Sequence, residues 1–254
     1  MSLLEEVKDK KEFRKLSEDL ISRVLVKVSE KYDVTDKKDQ KKIVKETRAR
    51  LRELYSAFRM RNFTKKNRYL EEMKDWEDKE ICKKILQVHL STRERVDYYD
   101  DLYMKIRKHV DFKSVLDLGC GLNVFSMPWM GRIDYYGIEV NQEDVDFCND
   151  YLEKFGLRGG IRWGDVLSFD NYLKAEVCFM FKVLEGFESL ERDFTKKLLD
   201  KIPCKYIVVS FATRSLGGKK SISERRLKWF EKLVEEKVLE RFKLGDEVYF
   251  VIRT

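Results

Sequence analysis

The run Ser114-Val115-Leu116-Asp117-Leu118-Gly119-Cys120-Gly121-Leu122-Asn123 decides how this chain is built. A strand-forming stretch leads into two glycines separated by one residue. Glycine permits the tight turn at a strand's end, and its missing side chain lets the backbone approach a ligand there. Twenty residues after Gly119, Glu139 stands near the end of the next apolar run, Tyr135-Tyr136-Gly137-Ile138-Glu139-Val140. A carboxylate at that place can accept both hydroxyls of a ribose. Asp165 ends a third run, where it can receive an adenine amino group. Asp117, Gly119, Gly121, Glu139 and Asp165 are therefore candidate nucleotide-binding residues. Nicotinamide cofactors use the first two of these features as well, so the loop and Glu139 leave the cofactor open.

Downstream, residues 160–166, 176–183 and 206–212 are further short apolar runs, separated by polar or helix-forming stretches. That alternation predicts βαβ units and a parallel sheet covered on both faces. The tail, residues 238–254, places Gly245-Asp246 between two strand-like segments, the signal of an antiparallel hairpin. Upstream the period is helical. Leu16, Leu20, Val24 and Val28 recur every fourth residue, and Ile43, Val44, Thr47, Leu51, Leu54, Tyr55 and Phe58 repeat the pattern. Tyr69, Met73 and Trp76 start a third helix, and Ile81, Ile85 and Leu86 a fourth. The expected fold is α/β. An all-helical domain over residues 1–108 precedes a Rossmann-like domain over residues 109–254, whose mostly parallel sheet closes with an antiparallel hairpin.

The chain of 254 residues has a net charge of +7, and the excess lies in its first half. Residues 1–108 hold 30 Lys and Arg against 22 Asp and Glu, whereas residues 109–254 hold 23 against 24. Between Lys41 and Arg68, eleven basic residues face only Glu46 and Glu53. Such a run is a candidate nucleic-acid footprint, with Lys41, Lys42, Lys45, Arg48, Arg52, Arg59, Arg61, Lys65, Lys66 and Arg68 of the eleven as the expected contacts; a solvated helix face is the alternative. Cys82, Cys120, Cys148, Cys178 and Cys204 form no C-x-x-C pair, which favours reduced core thiols over zinc or disulfides. With His89 and His109 the only histidines, no metal site is expected. No apolar run reaches 18 residues and the N-terminus lacks a signal-peptide hydrophobic region, so a soluble, cytoplasmic protein without membrane contact is expected.

The cofactor is narrowed by what surrounds the glycine loop. The motif reads D-x-G-x-G, with Asn123 where G-x-G-x-x-G would continue, no second mononucleotide-binding half follows, and the sheet ends in the hairpin. Together these resemble the class I S-adenosylmethionine-dependent methyltransferases. His89-Leu90-Ser91-Thr92-Arg93-Glu94-Arg95 comes just before the helix marked by Val96, Tyr99, Tyr103 and Ile106. Ser91-x-x-Glu94 has the form of a capping box. Capping needs neither His89, Arg93 nor Arg95, and a helix start with hydroxyls and arginine also suits a carboxylate such as that of the cofactor's methionine end.

Four elements in order make the resemblance specific: H-L-S-T-R-E-R at 89–95, V-L-D-L-G-C-G-L-N at 115–123, F-K-V-L-E at 181–185 and S-F-A-T-R-S-L-G-G at 210–218. They resemble the aminoglycoside-resistance 16S rRNA (guanine-N7) methyltransferase family over about residues 85–254. The resemblance implies that His89 to Arg95, Gly119, Glu139 and Asp165 contact S-adenosyl-L-methionine, with Val166 and Phe181 adjoining the site. It implies ribosomal RNA or the small ribosomal subunit as partner, and we expect a monomer. The chain departs from the family pattern at Val124 and over Phe125-Ser126-Met127-Pro128-Trp129, expected near the target-base pocket. Guanine N7 has an in-plane lone pair and no proton to lose, so positioning suffices and no acid or base is expected. Lys182 and Arg214 follow the fourth and fifth strand runs, where acceptors sit in this fold, and are the expected positioning residues. Lys219 and Lys220 extend the Arg214 loop towards RNA backbone. Two other readings compete: a ribosome-associated RNA-binding module with a vestigial cofactor fold, and a small-molecule methyltransferase.

Overall fold

The computed structural model describes residues 2–55, 62–215 and 220–254; Arg59, Arg61 and Lys219, expected at the nucleic-acid surface, lie outside the described residues, as does Phe58. Before the sheet come α1 (Leu3–Lys8), α2 (Glu18–Ser29), α3 (Lys37–Leu54), α4 (Lys65–Glu72), α5 (Lys79–Leu86), α6 (Leu90–Arg93) and α7 (Tyr99–Arg107). Short acceptors start several of them. Asp36 takes the Lys38 and Asp39 amides, and Asp78 takes the Ile81 amide. The every-fourth-residue stripe is realised: Leu20, Val24 and Val28 of α2 are buried against Ile43, Val44 and Leu51 of α3. The third predicted helix is shorter than expected, because α4 stops at Glu72 and leaves Met73 and Trp76 outside it. Asp75 draws the Glu77 amide into a turn there, as Asp does in competition with a helix, and Asp78 then starts α5.

The sheet and its connections follow: β1 (Ser114–Leu118), α8 (Met127–Met130), β2 (Asp134–Glu139), α9 (Gln142–Lys154), β3 (Gly159–Trp163), β4 (Ala175–Phe181), α10 (Leu184–Leu190), α11 (Phe194–Lys201), β5 (Cys204–Ala212), α12 (Lys228–Val234), β6 (Val238–Leu244) and β7 (Glu247–Arg253). The seven strands run in the order β3-β2-β1-β4-β5-β7-β6. The first five are parallel, and β7 lies antiparallel between β5 and β6. The hairpin turns at Gly245-Asp246, as its sequence predicts. Strand order reverses at β1, so the crevice for a ligand opens at the C-terminal ends of β1, β2 and β4.

Period-two alternation sorts the strands' side chains between two cores. Val115, Tyr135 and Phe179 join Leu86, Tyr99, Tyr103 and Ile106 on one face. Leu116, Ile138 and Met180 join Leu198, Phe230 and Val234 on the other. Side chains on either side of residue 108 therefore share one core. The stretch from Val124 to Met127 belongs to that core too. Phe125 packs on Phe147 and Tyr151 at ring distances of 5.1 and 4.4 Å, and the Ser126 hydroxyl bonds that of Tyr103 at 2.6 Å. Among the departures from the family pattern, Val124, Phe125, Ser126 and Met127 are buried, whereas Pro128 and Trp129 are partly exposed. All five cysteines are buried and free. Among the described residues, no helix is long and apolar enough to cross a membrane, and no His, Cys, Asp and Glu cluster could hold a metal ion.

Candidate active site

The loop after β1 turns through Gly119 and Gly121, both at left-handed φ (+70° and +50°). Space acts as well, excluding a side chain at Gly119 and crowding one at Gly121. A Cβ on Gly119 would stand 2.7 Å from Val183, and one on Gly121 would stand 3.2 Å from the His89 ring. The Gly119 amide donates to the Ile138 carbonyl at 2.9 Å, which ties the loop to β2. Glu139, 5 % exposed, completes the tie: one carboxylate oxygen accepts the Gly121 amide at 2.9 Å. The other accepts the Val140 and Asn141 amides at 2.9 and 3.2 Å. Burial, joined by the nearby Asp144 charge, still pushes the Glu139 carboxyl up to about 7 against those amides.

The crevice above this loop is lined by His89, Ser91, Gly119, Gly121, Glu139, Asp165, Val166, Phe181 and Lys182, all anticipated from sequence. Asp165 accepts the Leu167 amide and the Arg23 Nε, each at 3.1 Å. Burial raises its pKa, and those two partners oppose the rise. Sequence reading missed the wall contributed by the first helices: Leu20, Leu54 and Tyr55 line the same crevice. Their apolar spacing signals a helix face and carries no sign of which partner that face meets.

Other expected cofactor contacts, Asp117, Thr92, Arg93, Glu94 and Arg95, are not part of the crevice lining. Asp117 is buried beneath the loop, where it accepts the Asn123 amide nitrogen at 2.8 Å and the Tyr135 hydroxyl. Burial raises its carboxyl to about 6, with Tyr135 and Asn123 pulling the other way. The capping box is not formed. His89 is the N-cap of α6, Ser91 lies inside the helix, and Glu94 turns to Lys182. The Thr92 hydroxyl donates to the Leu86 carbonyl at 2.6 Å. Arg93 is exposed and outside the crevice lining. Arg95, 3 % exposed, lies 3.6 Å from Glu247 with its guanidinium over the Phe181 ring.

Lys182 is not the surface lysine that its place after a strand suggests. Its ammonium lies 2.6 Å from Glu94 and 3.3 Å from Glu247, with φ at +60°. Burial works against ionisation of Glu247, but Lys182, Arg95 and the Ser210 hydroxyl outweigh it and hold that carboxyl below its ordinary range. Lys182 thus reaches the crevice from inside a buried ion cluster that links the 89–95 segment to β7. Arg214 stands elsewhere: its half-exposed guanidinium lies 3.2 Å from Asp246 and lines a polar cleft with Arg225 and Lys243.

On the helical half, Lys41, Lys42, Lys45, Arg52, Lys65 and Arg68 are exposed, as is Lys220 on the later loop. Lys42, Arg52 and Arg68 pair with Asp39, Glu12 and Glu72. Arg48 donates to the Glu6 and Val7 carbonyls and so holds α1 onto α3. Lys66 has to be removed from the nucleic-acid set. It is 1 % exposed, lies 2.7 Å from Asp144 and sits between the Phe63 and Phe147 rings. Apolar neighbours draw in its stem, and the buried carboxylate compensates its charge.

Among the described residues no second nucleotide-binding half follows β5; the chain returns through the β6–β7 hairpin, and with Glu139 and Asp165 on one crevice this makes it a class I S-adenosylmethionine-dependent methyltransferase. The family described as ribosomal RNA methyltransferase (FmrO) matches residues 18–250, and the chain belongs to it. It is 31% identical over 233 residues to the 16S rRNA (guanine(1405)-N(7))-methyltransferase of Micromonospora rosea, covering 86% of this chain and 85% of that one. The enzyme of the same description from Micromonospora echinospora is 30% identical over 224 residues, 83% of this chain and 82% of that one. The 16S rRNA methyltransferase RmtF in complex with S-adenosyl-L-homocysteine is similar at a TM-score of 0.85 and 27% identity, over 99% of this chain and 97% of that one. The 16S rRNA methylase RmtB, at 23% identity and a TM-score of 0.82 over 99% of this chain and 97% of that one, shares the fold.

Proposed function

We propose that this rRNA methyltransferase methylates N7 of one guanine in small-subunit 16S rRNA, the residue corresponding to guanine 1405 of its relatives' names. It does so as a monomer in the cytoplasm. The observation that carries the cofactor side is the buried Glu139 carboxylate, held by the Gly121 amide and open to the crevice. A glycine loop with no room for a Cβ at Gly119, an acid whose ionised form accepts ribose hydroxyls and a second acid for an adenine amino group fit S-adenosylmethionine. When bound, it supplies a methyl group on a sulfonium, open to in-line attack. Glu139 accepts the ribose hydroxyls and Asp165 the adenine amino group, while His89 and Ser91 border the methionine end. Val166 and Phe181 exclude water from the rings.

The acceptor needs alignment and not deprotonation, because guanine N7 already presents its lone pair. Lys182, fixed by Glu94 and Glu247, offers an oriented ammonium at the crevice to the guanine or its phosphate. Arg214 and Lys220 hold RNA backbone outside it. Residues 1–108 carry RNA through Lys41, Lys42, Lys45, Lys65 and Arg68, and residues 109–254 carry the chemistry. Incubation of the protein with labelled S-adenosylmethionine and purified small subunits, or naked 16S rRNA, tests this. Nucleoside digests should contain N7-methylguanosine; label in another nucleoside, or none in either RNA, would refute it.

A further inference from the structure

The first helices hook onto the very loops that carry the cofactor acids. Ser17 donates its amide to the Val140 carbonyl at 2.8 Å, and the Gln142 amide donates to the Lys15 carbonyl at 2.9 Å. The entry to α2 is thereby fixed to the loop behind Glu139. Farther along α2, Arg23 directs its whole guanidinium across the same junction. Its Nε donates to Asp165 at 3.1 Å, one terminal nitrogen to the Ser168 hydroxyl at 3.1 Å, and the other to Glu191 at 3.4 Å. The Asp165 side chain is 1% exposed and that of Arg23 is 28% exposed, so the contact is largely screened from water.

We propose that Arg23 is a positioning residue for cofactor selection, holding Asp165 from behind as an ionised acceptor so that the crevice takes an adenine and refuses a 6-oxopurine. The proposal rests on the reading of Asp165 as the adenine acceptor. An ionised carboxylate can only accept hydrogen bonds, whereas a protonated one can also donate. Adenine presents an amino donor at its 6-position, and hypoxanthine presents an oxygen acceptor. An Asp165 that stays ionised therefore discriminates between them, and one that takes up a proton does not. The Leu167 amide occupies one Asp165 oxygen and Arg23 the other, each leaving that oxygen a further acceptor site for the purine. The charged groups facing Asp165 are Arg23 and Asp19 from α2, with the Tyr172 hydroxyl from the segment before β4. Burial and Asp19 favour the protonated form, and Arg23 is the cation on the other side. Without it the carboxyl titrates at a higher pH.

Calorimetric titration with S-adenosylhomocysteine and with S-inosylhomocysteine, its 6-oxo counterpart, tests the proposal over a pH series. Thermal melts confirm that each variant is folded. Arg23→Gln should weaken S-adenosylhomocysteine binding about tenfold, as loss of a charged hydrogen bond does. It should also bring the two ligands to similar affinities, and its binding of the adenine ligand should start to fail at a higher pH as the pH is lowered. Arg23→Lys should restore part of the preference, and it serves as the test variant if Arg23→Gln does not fold. An unchanged preference in the Arg23 variants, alongside a lost preference in Asp165→Asn, would overturn the role of Arg23 and leave the reading of Asp165 intact. An unchanged preference in Asp165→Asn would overturn that reading, and the proposal with it.

Discussion

The Glu139 carboxylate accepts the Gly121 amide at 2.9 Å, and this bond joins the acid at the end of β2 to the glycine loop after β1. Two consequences of opposite sign follow from its raised pKa. The unfolded chain ionises this group near 4.5 and the folded chain near 7. Between those values the folded state holds the extra proton, so Glu139 makes stability fall as pH rises. Ribose hydroxyls favour the ionised form, so affinity for S-adenosylhomocysteine should increase from about pH 6 to 8 with release of a proton. Calorimetry in buffers of different ionisation enthalpy reads that proton. Glu139→Gln should cost about 1.5–3 kcal/mol of binding and flatten the pH dependence. A wild-type affinity that ignores pH, with no proton released, would remove Glu139 from the ribose site.

Lys66 and Asp144 form a buried pair in which each side chain is 1% exposed. Lys66→Met should lower stability by roughly 3–5 kcal/mol, because it takes the ammonium away from a buried carboxylate that also accepts the Tyr55 hydroxyl. Replacing both residues by apolar ones should cost less than the sum of the single changes. Urea denaturation of the set measures this. A neutral Lys66→Met variant would mean that the lysine is solvated after all.

Lys182 should likewise matter to the fold. Glu247, whose carboxyl is held below 4.5, gives stability that is present above its unfolded value and lost as pH falls through its folded one. Lys182→Met removes a principal cause of that shift and should cost about 3 kcal/mol at neutral pH. The deficit should shrink in acid, where Glu247 is protonated in both proteins. A deficit that stayed constant down to about pH 3 would assign the loss to packing alone.

The strand pattern, the hairpin at Gly245-Asp246 and the cluster of Gly119, Gly121, Glu139 and Asp165 were legible because each is local. A turn or strand end forces particular residues at fixed spacing, whatever lies across from it. Arg23, Leu20, Leu54 and Tyr55 were not legible as site residues. Arg23 meets Asp165 across 142 positions of chain, and the α2 stripe has the same spacing whether it faces another helix or a cofactor. Lys66 reads as one more surface cation because a charge count cannot see Phe63 and Phe147 closing over it. Ser91-x-x-Glu94 matches a cap locally, yet the buried ammonium of Lys182 offers Glu94 a stronger partner than a backbone amide does.

Exposed and buried cations should separate in RNA binding. Neutralising Lys41, Lys45 and Lys65 to glutamine should weaken binding to 16S rRNA and lower the log–log salt slope by roughly 0.7–0.9 for each lost phosphate contact. Lys66→Met should leave the slope unchanged in folded protein. Filter binding across a salt series measures both. Equal slopes for the triple variant and the wild type would make this surface of α3 and α4 a solvated face.

The methylation step itself should not depend on an enzyme base. At saturating cofactor, single-turnover rates should stay flat from about pH 6 to 8. The Glu139 titration then affects only cofactor binding, which saturation hides. A rising limb that disappears in His89→Asn would point to an acceptor that must lose a proton.

Methylation of a guanine N7 in small-subunit rRNA can be read by mapping the modification in cells that express the protein. N7-methylguanine is sensitive to reduction and aniline scission, so primer extension along the treated rRNA reads each modified site as a strand break. One new break is expected, at a single small-subunit guanine, and it should be absent from cells expressing Glu139→Ala. No new break, or a methylated nucleotide whose acceptor is not a guanine N7, would contradict it.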